Sequence, residues 1–207
     1  TIDTLADLLV ENLSQGSGAL RSKLQSLLAH CELLMRVGDE YRIQTEESTA
    51  WNDEFLSQQA ALSNEAHRID AEREDRIRKK FGDVVRKLSL MHGSSNVPRD
   101  IHPIFDTQLP ADAHQRLCVW VRDGWSTDET SVRADARQAG NQSPTVFVFI
   151  PKRSADDLRT HLINYKAATA TLDKRGVPNT PEGTEARAAM ETTKQGAESK
   201  IRELLEE

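Results

Sequence analysis

Hydrophobic positions in the first 45 residues follow two helical repeats and then two short strands. Apolar residues recur every three or four positions over 2–13 and again over 20–31, the spacing of a helix with one buried face. The segments LLMRV and YRIQT, joined by a Gly38-Asp39-Glu40 turn, then predict a β-hairpin. Helix, turn, helix and a two-stranded wing is the order of a winged helix. We therefore interpret residues 1–45 as a winged-helix-like unit.

The following segment, residues 46–91, keeps one helical repeat throughout. Apolar residues return at helical spacing from Trp51 to Leu88 with few interruptions, which predicts one long helix that links or braces other parts of the fold. Its apolar stripe needs a covering surface, and a helical hairpin over 155–205 offers a stripe of similar length. We expect these helices to pack together, either within one chain or between two chains.

Residues 92–116 contain three prolines and Gly93 and are interpreted as a proline-containing loop. The segment Ile101–Phe105 has the pattern of a short edge strand, although Pro103 weakens that interpretation. Three histidines also lie here, at positions 92, 102 and 114. Their spacing matches no pair of metal ligands on one helix or hairpin, so we interpret them as ordinary loop residues.

The last region, residues 117–207, has the pattern of a small α/β unit followed by two helices. LCVWV and TVFVFI are continuous apolar runs, typical of parallel strands that are covered on both faces. Two strands alone make an unstable sheet, so further strands must come from the loop region, from other parts of a longer chain or from a partner. The fold predicted is mixed α and α/β: a winged-helix-like unit, a long brace helix, and a small parallel α/β unit with a C-terminal helical hairpin.

Composition narrows the class of protein. Hydrophobic residues make up 37% and charged residues 29%, a composition typical of exposed helices. The formal net charge of −6 argues against a protein whose main role is to coat nucleic acid. No apolar run is long enough for a membrane span and no signal peptide is evident. Cys31 and Cys118 lie in apolar surroundings, which favours reduced thiols and a cytoplasmic location. The chain begins at Thr1 within a helical repeat, so we expect a fragment of a longer protein.

Catalytic chemistry is not indicated by any motif. None of the ten glycines precedes a lysine, so the Gly-Lys-Ser/Thr element of a phosphate-binding loop is missing. Asp123, Asp128 and Glu129 follow the first predicted strand of the α/β unit, where carboxylates bind Mg²⁺ in some proteins. Capping of the next helix explains these residues better. We expect no catalytic residue, no metal and no cofactor in this chain.

Basic residues suggest two candidate contact surfaces for nucleic acid and one for phosphate or a protein partner. The candidate nucleic-acid contacts are Arg21, Lys23, Arg76, Arg78, Lys79 and Lys80, and the candidate phosphate or partner contacts are Lys152 and Arg153. Residues 1–45 carry fewer basic than acidic side chains, and the outer face of their second helix is nearly uncharged. This balance favours a protein-packing role for the winged-helix-like unit over DNA recognition.

Four segments resemble a known family. LMRVGDEYRIQT, VWVRDGWSTDE, SPTVFVFIPKRSADDLR and ATLDKRGVPNTPEGTEARAAMET occur in this order and are similar to a stretch of the large P-loop ATPases of BREX phage-defence systems, the BrxC/PglY family. The resemblance implies an internal or C-terminal part of a much longer cytosolic ATPase. That ATPase would use ATP and Mg²⁺ and would act with a DNA methyltransferase and other BREX components. The family's Walker motifs lie outside this segment, so no ATPase residue is carried over.

These observations leave three function classes. The favoured one is a non-catalytic assembly or coupling module of a BREX-type ATPase, with self-association as an option and with weak DNA contacts at most. The alternative is a winged-helix DNA-binding module or transcriptional regulator. A third class, a metal-dependent nuclease or phosphotransferase around Asp123, has the least support.

Overall fold

The computed structural model combines helices with small sheets in two compact units. It describes the following residues: 1–10, 17–31, 34–37, 40–43, 45–94, 96–113 and 116–206. Unit 1 comprises residues 1–66 and 160–201, and unit 2 comprises residues 67–159 and 202–207. The mixed α and β class, with a small parallel sheet, is confirmed.

The beginning of unit 1 has the element order expected from the sequence. Helices α1 (Ile2–Leu8) and α2 (Gly18–Ala29) precede strands β1 (Leu34–Val37) and β2 (Glu40–Ile43). The two strands pair antiparallel, with Leu34 opposite Ile43 and Val37 opposite Glu40. Positions 38 and 39 of the predicted turn lie outside the described residues. The order of two helices followed by two antiparallel strands agrees with the sequence pattern, although α1 ends at Leu8, and the winged-helix assignment stays a prediction.

The prediction of one continuous helix over 46–91 is wrong. The segment forms two helices, α3 (Glu46–Asn64) and α4 (Ala66–Val85), separated at Glu65, whose φ of −103° and ψ of 62° are not helical. Near the break, the Ser63 hydroxyl donates to the Gln59 carbonyl at 2.8 Å, and such back-bonding by a short polar side chain weakens a helix. Asn64 is also a poor helix former, so the apolar repeat continues across a break in the backbone.

Unit 1 has its core between α3 and the predicted helical hairpin. The hairpin consists of α6 (Ala155–Arg175) and α7 (Pro181–Leu204), and the Thr180 hydroxyl accepts from the Gly183 amide at 3.1 Å to cap α7. The buried cluster contains Trp51, Ala168, Leu172, Ala186 and Met190, with Phe55 packed against it. The expected packing of α3 on the hairpin is confirmed within this unit.

Polar contacts fix the register of α3 on α6. The Gln59 side-chain amide donates to the Asn164 side chain at 2.6 Å. The Lys174 ammonium lies 2.7 Å from the Glu54 carboxylate, and this contact, together with the hydrogen bond from Gln58, holds the pKa of Glu54 below its usual range. These pairs are partly exposed, so they specify alignment more than they add stability.

The interpretation of residues 92–116 as a loop is wrong in its first half. Strands β3 (Leu90–His92) and β4 (Val97–Arg99) form an antiparallel hairpin. Its turn contains Gly93 and Asn96, both in the left-handed region at φ 62° and 49°. Glycine and asparagine adopt that conformation at low cost, so a tight turn forms here in spite of Pro98.

Unit 2 is built on a three-stranded parallel sheet. Strands β5 (Ile101–Ile104), β6 (Leu117–Asp123) and β7 (Thr145–Ile150) pair in chain order, and helix α5 (Glu129–Ala139) connects β6 to β7. The third strand therefore comes from the predicted loop region, one of the three sources considered. The parallel pairing of the two apolar runs is confirmed.

The sheet and its neighbours bury the apolar residues of β6. Cys118, Trp120 and Val121 are buried, and Val132 of α5 is buried with them. Burial raises the pKa of the Cys118 thiol, and both Cys118 and Cys31 are free cysteines. Among the described residues, no helix combines the length and the apolar character that crossing a bilayer requires.

Candidate functional site

A cleft of about 270 Å³ lies in unit 2 where β5 and β6 end, beside α4. The carboxyl ends of parallel strands are where open α/β sheets bind ligands. Five charged side chains contribute to the lining: Glu74 and Arg78 from α4, Asp106 after β5, and Arg122 and Asp123 at the end of β6. The cleft is thus the strongest candidate site in the described part of the chain.

Aromatic rings hold the two arginines at the cleft. The Arg78 guanidinium lies 5.7 Å from the centre of the Phe105 ring, and Phe81 packs edge-on against the same ring at 5.8 Å. The Arg122 guanidinium lies 5.0 Å from the centre of the Trp120 ring. Cation–π contacts of this kind orient a guanidinium without neutralising it.

Hydrogen bonds tie the loop after β5 to β6. The indole N–H of Trp120 donates to the Asp106 carbonyl at 2.8 Å, and Arg122 donates to the Thr107 carbonyl at 3.4 Å. These bonds link residues fourteen and fifteen positions apart in the chain. The cleft wall is therefore held by side chains of the sheet.

Asp123 has a structural role in the turn that follows β6. Its carboxylate accepts from the amides of Trp125 and Ser126 at 2.9 and 3.0 Å. The next residue, Gly124, lies so close to the neighbouring loop that an added Cβ would be 2.7 Å from the Lys152 amide nitrogen. Within the described ranges, no group of three or more histidine, cysteine or carboxylate side chains could hold a metal ion.

Asp128 is the N-cap of α5, the role that the sequence favoured for this group of carboxylates. Its side chain accepts from the Ser131 amide at 2.9 Å and also binds the hydroxyls of Ser131 and Thr130. These hydrogen bonds, led by that of Thr130, lower the pKa of Asp128 to about 2. Since the folded-state pKa is depressed, the cap persists at neutral pH and is lost only as the pH falls toward about 2.

The predicted basic surfaces are largely engaged with carboxylates. Arg21 lies 3.2 Å from Asp3 and 3.6 Å from Asp7, which connects α2 to α1. On α4, Arg76 pairs with a glutamate one turn earlier, at position 72, at 2.8 Å. Lys80 lies 2.7 Å from Glu206. Phosphate groups would have to compete with these carboxylates.

The remaining predicted contact residues belong to different elements of the fold. Lys23 is exposed on α2 in unit 1, and Lys79 is exposed on α4 in unit 2. Lys152 and Arg153 are exposed after β7 and do not line the cleft, whereas Arg78 does. The structure therefore places one predicted contact, Arg78, in the lining of the cleft together with Asp123.

Sequence reasoning missed Glu74, Phe105 and Asp106 as members of this site. They come from a helix and a loop that the sequence placed in separate regions, and no spacing rule connects them. Together with the two arginines they give a cleft of mixed charge, in which guanidinium groups would bind carboxylate or phosphate oxygens and carboxylates would bind amines. The Ser126 hydroxyl donates to the Asp123 carbonyl at 3.1 Å, and the lining includes no histidine. The Ser126 hydroxyl therefore bonds to a main-chain oxygen and not to a basic side chain.

Comparisons with protein-family models, with curated protein sequences and with solved structures each gave no match. The likeness to BREX ATPases therefore rests on the four sequence segments alone. The function therefore has to be argued from the fold and from the side chains of its surfaces.

Proposed function

We propose that this chain is a non-catalytic assembly and coupling module of a large ATPase of the BREX phage-defence type. Its role is to hold protein partners, among them the DNA methyltransferase component of such a system, and to couple them to the ATP state of the rest of the protein. The observation that carries the proposal is an exposed apolar surface on the first two helices.

Four exposed leucines, which we together call the leucine surface, belong to α1, to its C-cap position and to α2. Leu5, Leu8, Leu9 and Leu27 are 38%, 77%, 52% and 60% exposed. Single exposed leucines are ordinary, but we take four of them on two helices that contact each other as a protein interaction site. Arg21 lies on the same helix pair and is bound to two carboxylates. We therefore expect a protein partner to contact the apolar leucines and not this cation.

Co-purification with the methyltransferase component tests the role of the leucine surface. In the full-length ATPase, Leu8→Glu combined with Leu27→Glu should abolish co-purification while ATP hydrolysis is retained, because neither leucine is buried. Val177→Glu is the matched control, since Val177 is 81% exposed in the link between α6 and α7. Normal co-purification by the double variant would refute the assembly role.

The isolated chain is expected not to hydrolyse ATP. The reason is the missing Gly-Lys-Ser/Thr loop, without which the backbone cannot cradle the β- and γ-phosphates. Release of inorganic phosphate from ATP and Mg²⁺ measures the activity. Turnover that disappears in Asp123→Ala would contradict the prediction and would favour the metal-dependent class instead.

A winged-helix DNA-binding module is the second candidate, because the order α1, α2, β1, β2 is that of a winged helix and Lys23 is exposed. The carboxylates bound to Arg21 and Lys80 weigh against it. We expect duplex DNA to bind the chain only weakly and without sequence preference, with a dissociation constant above roughly 1 μM at physiological salt.

Fluorescence anisotropy with labelled duplexes over a salt series measures this binding. Sub-micromolar, sequence-selective binding that is lost on Arg21→Ala with Lys23→Ala would establish the winged helix as a DNA reader. Loss on Arg78→Ala, Lys79→Ala and Lys80→Ala instead would place the contact on α4. Binding through either set must weaken steeply with salt, because phosphate contacts release counterions.

A further inference from the structure

The two edges of the three-stranded sheet differ in their capacity to accept another strand. In the described part of the chain, β7 has a strand neighbour on one side only, as has β5. Strand β5 contains Pro103, which has no N–H to offer. Strand β7 reads TVFVFI, without proline or charge, and natural proteins normally protect such an edge.

The main-chain groups that face the open edge of β7 can be identified from one hydrogen bond. The Ile150 carbonyl accepts from the Gly124 amide at 2.9 Å, so Ile150 faces β6. Main-chain groups of successive strand residues point to alternate sides. The outward-facing residues are therefore Thr145, Phe147 and Phe149.

We propose that β7 pairs antiparallel with β7 of a second copy of this chain, about a twofold axis at Phe147. Thr145 and Phe149 lie two positions before and after Phe147. In the antiparallel pair, the outward main-chain N–H and C=O groups of one copy therefore lie opposite the outward C=O and N–H groups of the other. Phe147 would then lie opposite the partner's Phe147, and Thr145 opposite the partner's Phe149. Two three-stranded sheets become one sheet of six strands, in which the β7 edge of each copy is paired and the β5 strands form the two outer edges.

Side chains and charge agree with this register. Val146 is 49% exposed and would lie opposite the partner's Val148, which covers it with an apolar side chain. Lys152 and Arg153 follow the last residues of β7. An antiparallel pairing places the cations of the two copies at opposite ends of the paired strands, whereas a parallel pairing would bring them to the same end, and like charges close together are destabilising.

The proposal names a second copy of this chain as one partner in the proposed assembly function. It rests on that function only because self-pairing is taken as part of assembly. Failure of self-pairing would leave the leucine surface and its co-purification test untouched. Conversely, loss of the methyltransferase contact would not alter the mass of the isolated chain.

Sedimentation equilibrium with charge-swapped variants at Val146 tests the pairing. The unaltered chain should have the mass of a dimer, and Val146→Lys or Val146→Glu alone should weaken dimerisation by at least about tenfold. The two introduced side chains lie diagonally across the pair, within reach of long side chains. An equimolar mixture of the two variants should therefore restore the dimer.

The control is Val177→Lys, which should leave the dimer intact because Val177 lies outside the sheet. Circular dichroism should show that all variants fold. A monomer at every concentration up to about 1 mM, dimers unaffected by either Val146 variant, or a mixture that stays monomeric would each overturn the proposal.

Discussion

Replacing Trp51 by alanine should lower the free energy of unfolding of unit 1 by about 3–5 kcal/mol. Trp51 is 2% exposed and belongs to the buried cluster that joins α3 to the helical hairpin. The Arg175 guanidinium also lies 5.4 Å from the centre of its ring. Truncation therefore removes the largest apolar side chain of the seam and leaves a cavity that the three helices cannot close without moving.

Denaturant unfolding followed by circular dichroism measures this change. Leu56→Ala is the matched control on the same helix, since Leu56 is 51% exposed, and it should change the free energy by less than about 0.5 kcal/mol. Leu62→Ala, at a residue that is 2% exposed, should cost about 2–5 kcal/mol. Equal effects of Trp51→Ala and Leu56→Ala would mean that the seam is not a core.

Local repeats explain why much of the fold could be predicted from the sequence. The pair α6 and α7 has apolar stripes of many turns, and Pro181 marks the start of the second helix. The runs in β6 and β7 are apolar on both faces, a pattern that parallel strands share. Each of these signals lies within a single element, so the sequence alone carries it.

The wrong predictions concern features that the apolar repeat does not encode. The stripe from Trp51 to Leu88 continues across the break at Glu65, because the repeat records which residues are buried and not whether the backbone is continuous. The β3–β4 hairpin depends on the left-handed residues Gly93 and Asn96. Only a few residues in the sequence indicate a turn of this kind, and the neighbouring prolines favoured the prediction of a loop.

The cleft could not be predicted for a different reason. Its charged residues come from three elements, and only the folded sheet brings Asp106 and Asp123 to the same edge as Arg78. Two ion pairs could not be predicted for the same reason. The pair of Arg21 joins two separate helices, and the pair of Lys80 joins residues that are distant in the sequence. The sequence therefore could not show that Glu206 lies 2.7 Å from Lys80 of α4.

Gly124→Ala should destabilise unit 2 by about 1–3 kcal/mol, the usual cost of overpacking. The added Cβ would lie 2.7 Å from the Lys152 amide nitrogen and 2.9 Å from the Lys152 Cβ. Backbone cannot rotate away as the end of a long side chain can, so the loops after β6 and β7 must separate. Because Asp123 and Ser126 line the cleft from the same turn, the change should also widen that wall.

Gly82→Ala is the matched substitution in the same unit. It should raise the free energy of unfolding, whereas Gly124→Ala should lower it. Gly82 lies within α4, and an added Cβ there would meet no other atom within 4 Å. Alanine restricts the unfolded chain more than glycine, so the variant should gain about 0.5–1 kcal/mol. Thermal unfolding of both variants gives the comparison. A stabilised Gly124→Ala variant would contradict the close approach of the loops after β6 and β7.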